Sequence, residues 1–131
     1  MEQIHLISVT NKETESWSNL IELAGNFDIH VFNIKHSNIE NLTSDVAGIA
    51  WIVGNDMQED VLENVISNCK EKSISVVCTD CQSLRAYSVS DLISMGVKAV
   101  VNLHFSVIRI KEVLNIVQEG GIYMHNTNKV K

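Results

Sequence analysis

The sequence has no proline, where average usage over 131 residues would give roughly six or seven. No loop can therefore be shaped by a cis X–Pro bond. Cysteine is scarce too: three residues, an odd number, make no disulfide framework and fit a reducing compartment. The ten lysines and arginines are scattered, and aromatic residues make up only 5% of the chain. With a net charge of −6 and no basic stripe or aromatic platform, the composition argues against intrinsic nucleic-acid binding. No apolar run is long enough to cross a bilayer, and no charged-then-apolar leader precedes the first strand. A cytoplasmic protein with no membrane contact is expected. Gly48, Gly54 and Gly96 stand alone as punctuation, without a G-x-G-x-x-G or a P-loop.

What is present is an ordinary globular composition, 45% hydrophobic and 20% charged, of a length suited to one domain with one core. The chain divides into periodic segments. Residues 3–9 read as a strand, and Thr10-Asn11-Lys12-Glu13 has the form of a capping box. A helix follows with Trp17, Leu20, Ile21 and Ala24 on one face, stopped by Gly25-Asn26. Residues 27–33 form a second strand, and 35–45 a short, weakly periodic helix. The continuous apolar run 48–53, with Trp51 inside it, suits a central parallel strand buried on both faces. Asn55 or Asp56 is placed to cap the next helix, whose face is Val61, Leu62, Val65, Ile66 and Cys69. Residues 73–78 are the fourth strand, and 82–95 carry Leu84, Tyr87 and Leu92 up to Gly96. Residues 97–103 are the fifth strand. Ser106 then caps a last helix with the stripe Val107, Ile110, Val113, Leu114 and Val117, ended by Gly120-Gly121. Strands alternating with helices at this spacing predict an α/β fold, a parallel sheet with helices on both faces.

The stretch from Gly96 to Asn126, GVKAVVNLHFSVIRIKEVLNIVQEGGIYMHN, resembles the C-terminal third of a receiver domain of NarL/LuxR-type bacterial response regulators. LENVISNCKEK, residues 62–72, resembles that family's third helix, and Val76-Val77-Cys78-Thr79 its fourth strand; the first half is similar in architecture only. The resemblance implies a five-stranded, flavodoxin-like sheet in the order 2-1-3-4-5. It also implies a domain over residues 1–125, with 126–131 starting a linker.

The residues that the family uses to accept a phosphoryl group are missing. Thr10-Asn11 stand where the resemblance implies an acidic pair for Mg²⁺, and Ile52-Val53-Gly54-Asn55 where it implies the phosphorylated aspartate. Asn102-Leu103-His104 stand where it implies a lysine, and the prolines that usually follow the aspartate and lysine are absent. Transfer to aspartate needs a carboxylate nucleophile, carboxylate-held Mg²⁺ and a cation over the phosphoryl oxygens. Only Thr79, the hydroxyl that ordinarily senses phosphate, is retained. Asp56 is a lesser phosphoacceptor candidate, better explained as a cap or first-turn acid. The vestigial pocket comprises Thr10, Asn11, Val53, Gly54, Asn55, Thr79, Leu103 and His104, with Asp80 on the same rim. No nucleophile, base and orienter form a set, so no enzyme and no cofactor are expected.

Cys78-Thr79-Asp80-Cys81 is a C-x-x-C before a helix, and with His104 it offers three metal ligands or a redox pair. A single C-x-x-C is a weak signal, and Cys78 is equally a small core residue, as is Cys69. His5, His30, His36 and His125 form no ligand pattern.

Two functions compete. One is an atypical, phosphorylation-independent receiver in a transcriptional regulator, acting by homodimerisation or protein contact. Any DNA binding would fall to a separate helix-turn-helix domain or partner. The resemblance implies contacts through the last helix, at Ile108, Arg109, Lys111, Glu112 and Asn115, which also carries apolar Ile108 and Ile116 off its buried stripe. The other is a small-molecule- or metal-sensing domain using the carboxyl rim of the sheet.

Overall fold

The computed structural model describes residues 2–9, 14–34, 48–53, 57–79, 87–101 and 105–123. Five strands, β1 (Glu2–Ser8), β2 (Phe27–Asn33), β3 (Ile49–Ile52), β4 (Ser75–Thr79) and β5 (Val97–Val101), form one sheet in the order β2-β1-β3-β4-β5. All neighbouring strands are parallel. The α/β, flavodoxin-like order expected from the sequence is the one found. Four described helices, α1 (Thr14–Ala24), α2 (Glu59–Glu71), α3 (Val89–Met95) and α4 (Val107–Gln118), connect and cover it.

Strand side chains alternate between two layers. Ile4 and Leu6 of β1, with Trp51 and Val53 of the β3 region, meet Trp17, Ile21 and Ala24 of α1 and Ile110, Val113, Leu114 and Val117 of α4. Ile7, Ala50, Ile52, Val76 and Cys78 face the other way, onto Leu62, Val65, Ile66 and Cys69 of α2. Each fully buried aliphatic side chain contributes about 1.5–3 kcal/mol. All four residues of β3 are buried, as a central parallel strand requires. Trp17 and Trp51 are core residues, and so is Cys69. Burial pushes the Cys69 thiol up to about 11, with Lys72 opposing part of the shift.

Several boundaries differ from those read in the sequence. The N-cap of α2 is Gln58, not Asn55 or Asp56, and it makes no side-chain cap hydrogen bond. Glu59 and Asp60 in the first turn supply the favourable negative charge instead. β4 starts at Ser75 because Ser73 takes a left-handed φ of 59°, which turns the chain out of α2. α3 is shorter than the expected 82–95: it begins after Ser88, whose side chain and that of Asp91 form a reciprocal capping box, and Gly96 ends it at φ 106°. Residues 80–86 lie outside the described residues, as do Thr10–Glu13 with the expected capping box and the helix expected over 35–45.

The last helix follows its signals closely. The Ser106 hydroxyl accepts from the Arg109 amide at 3.1 Å. At the other end the Gly120 amide donates to the Val117 carbonyl and the Gly121 amide to the Ile116 carbonyl, a Schellman pair, with Gly120 at φ 85°. The chain then turns back, and the Tyr123 amide donates to the Lys98 carbonyl of β5 at 2.8 Å. Phe105 lies between the Arg109 guanidinium, 5.3 Å from its centroid, and the Tyr123 ring, edge-on at 6.4 Å.

Candidate functional site at the carboxyl rim

In a parallel α/β sheet, ligands bind outside the carboxyl ends of the strands. Here the described rim consists of Ser8 and Val9 after β1, Ile52 and Val53 at β3, Thr79 at β4 and Val101 at β5. None of these can ionise. Val53 is buried in the α1/α4 layer and its amide donates to the Ile7 carbonyl at 2.8 Å, so its side chain is core. Thr79 is buried at the last position of β4, opposite Val101. Thr10, Asn11, Gly54, Asn55, Asp56, Asp80, Leu103 and His104 lie outside the described residues.

The sequence reading passed over Ser8. Its hydroxyl is fully buried and has no hydrogen-bond partner among the described residues. A lone hydroxyl residue following the apolar pair Leu6-Ile7 is the signal that marks it. Buried polar atoms are paired in the great majority of cases; the indole N–H groups of Trp17 and Trp51 are orphaned too, but those lie within the core, whereas Ser8 lies at the carboxyl end of its strand.

Of the C-x-x-C, Cys78 is buried against α2 as a core residue, while Cys81 and His104 lie outside the described residues. No group of three metal-ligating side chains occurs among the described residues. No described helix is long and apolar enough to cross a membrane.

The five contact candidates on α4 divide. Ile108 is 81% exposed, and Lys111, Glu112 and Asn115 are exposed with it. Arg109 is instead half-buried over the Phe105 ring. On the opposite layer, Glu63, Ile66, Ser67, Lys70 and Met95 line a groove of about 310 Å³ between α2 and α3. Its charged groups are engaged: the Tyr87 hydroxyl donates to Glu63 Oε2 at 2.5 Å, and Lys70 Nζ donates to the Ser94 carbonyl at 3.3 Å. Loss of hydration raises the Tyr87 phenol above its usual range, and the Glu63 and Glu59 carboxylates raise it further.

No protein-family model matches the sequence. No curated protein matches it either. Solved structures do. A protein from Burkholderia thailandensis named for pilus assembly, CpaE, is 13% identical over 91% of this chain and 99% of its own, with a TM-score of 0.71. FixJ-N is 13% identical over 95% and 98%, with a TM-score of 0.67. A signal receiver domain from Clostridium thermocellum is 14% identical over 87% and 94%, with a TM-score of 0.64. At these identities the likeness is one of fold: the chain has the fold of response-regulator receiver domains.

Proposed function

We propose that this chain is an atypical, phosphorylation-independent receiver-like module of a NarL/LuxR-type transcriptional regulator, a binding domain and not an enzyme. It works through its surface, as a homodimer or by contact with a partner protein. The observation that carries this reading is a receiver fold whose described strand ends, Ser8-Val9, Ile52-Val53, Thr79 and Val101, hold no carboxylate and no cation. The sequence at the remaining receiver positions, Thr10-Asn11, Gly54-Asn55 and Leu103, adds none. Phosphoryl transfer to a receiver needs such groups at these positions, as nucleophile and as metal ligands.

A surface role is supported by the outer face of α4. A helix that buries Ile110, Val113, Leu114 and Val117 has no folding need for Ile108, which is 81% exposed. DNA contact, in this reading, belongs to a separate helix-turn-helix domain or partner.

Native mass spectrometry with and without acetyl phosphate and Mg²⁺ tests the proposal. The expected spectrum is unchanged by the phosphodonor. A phosphoryl adduct on Asp56 would overturn it.

One observation favours a second reading, a small-molecule sensor at the rim. The orphaned Ser8 hydroxyl could serve a neutral polar ligand. A stoichiometric non-covalent adduct on the untreated protein would support it.

A further inference from the structure

The two edges of the sheet are treated differently. On β5 the returning chain places the Tyr123 amide on the Lys98 carbonyl, and Lys98 adds a charged side chain, two devices that blunt an edge. On the other edge, β2 pairs with β1 alone among the described residues. Its seven residues, Phe-Asp-Ile-His-Val-Phe-Asn, include no lysine or proline, and their register with β1 is unbroken. At its centre His30 is exposed, and the neighbouring Val31 is 55% exposed.

One hydrogen bond fixes which peptide groups of β2 look outward. The Ile34 amide donates to the Ser8 carbonyl at 2.9 Å, so Ile34 faces β1. Backbone polar groups alternate along a strand, so Phe32, His30 and Asp28 also face β1, while Phe27, Ile29 and Val31 direct their N–H and C=O groups away from the sheet.

We propose that this edge is a self-association surface, on which β2 of a second copy of this chain pairs antiparallel about a two-fold axis at Ile29. In such a ladder, outward-facing residues meet outward-facing ones, which leaves few registers. Centring on Asp28 opposes two carboxylates, like charges that are destabilising when directly opposite, while centring on His30 or Val31 sets the Asp28 carboxylate against apolar Phe32 or Ile34. Centring on Ile29 instead sets Asp28 against the partner's His30, and His30 against the partner's Asp28. Within one chain these groups already attract, with His30 Nε2 3.1 Å from Asp28 Oδ2. On the opposite face the same register sets Phe27 against the partner's Val31 and Ile29 against the partner's Ile29. Phe27 and Ile29 pack on the α1/α4 core, so pairing extends that apolar layer and covers Val31. The interface is isologous and closes, joining two sheets into one. It does not involve α4 and therefore goes beyond the reading above.

Sedimentation equilibrium of the full chain tests this. The wild type is expected to dimerise, Val31→Lys to weaken association at least about tenfold because the axis applies each change twice, and Ile108→Lys to leave it unaltered. Asp28→Lys weakens it and adding His30→Glu restores it; restoration by charge exchange decides the matter even if Val31→Lys does not fold. A wild type that stays monomeric, or a dimer indifferent to Val31→Lys and to Asp28→Lys, would overturn the proposal. Loss of the dimer on Ile108→Lys alone would transfer the interface to α4. In each of these cases the phosphodonor experiment still reads the proposed function separately.

Discussion

The ring centroids of Trp17 on α1 and Trp51 on β3 lie 5.3 Å apart, tilted by 55°, and both indole N–H groups are buried with no acceptor among the described residues. The pair brings much apolar area to the core but carries two unpaired donors. Trp51→Phe or Trp17→Phe is expected to cost below about 2 kcal/mol, since removing an unpaired donor offsets part of the lost volume. Trp51→Ala leaves a cavity and is expected to cost about 3–5 kcal/mol. Urea denaturation followed by far-UV circular dichroism separates the two.

Gly48 precedes β3 where the chain passes close to β1. A Cβ there would meet the Gln3 carbonyl oxygen at 2.5 Å, a backbone atom that cannot swing aside. Gly48→Ala is expected to destabilise by about 2 kcal/mol or more through overpacking. Gly120→Ala has open space around it and only the cost of its positive φ, about 1 kcal/mol. Thermal melts of both variants rank them in that order.

The helix caps give a third comparison. Ser106→Ala removes the acceptor for the Arg109 amide, and Ser88→Ala breaks the box with Asp91. Each is expected to cost about 1 kcal/mol, and substitution by Gly only a few tenths. Chemical denaturation of the four variants reads the difference.

Cys69 links stability to alkaline pH. Its folded pKa, about 11, lies above the ordinary 9.0, so the thiol stays neutral in the fold while the unfolded chain ionises. The contribution is intact below pH 9 and is lost as pH rises toward 11. Unfolding titrations should show a steeper alkaline decline in the wild type than in Cys69→Ala, by about 2–3 kcal/mol across the window. Equal slopes would contradict the assignment.

The packing of α2 and α4 was legible because Leu62, Val65, Ile66 and Cys69, and Ile110, Val113, Leu114 and Val117, repeat at helical spacing, and β3 was legible as a central strand because it is apolar throughout; the strand order was implied by the resemblance to receiver domains. Boundaries set by single backbone conformations were not. Ser73 adopts a positive φ without the glycine that would advertise it, and Gln58 caps α2 without a side-chain bond, so neither leaves a mark in residue types. The Ser88–Asp91 box was visible as S-x-x-D but sat inside an apolar pattern that read as one longer helix. Of the candidate site, the residue types at the rim were legible. The burial of Val53 and the orphaned Ser8 hydroxyl depend on packing across strands, which no local pattern encodes.

The division of the core into two layers has an optical consequence. Both tryptophans of the chain belong to the layer between the sheet and α1/α4. Intrinsic tryptophan emission therefore watches one side of the sheet only. If α2 and α3 loosened while the other layer held, the emission would barely move. The event would surface instead at Tyr87, whose hydroxyl contact with Glu63 ties the approach to α3 to α2 and would break with it.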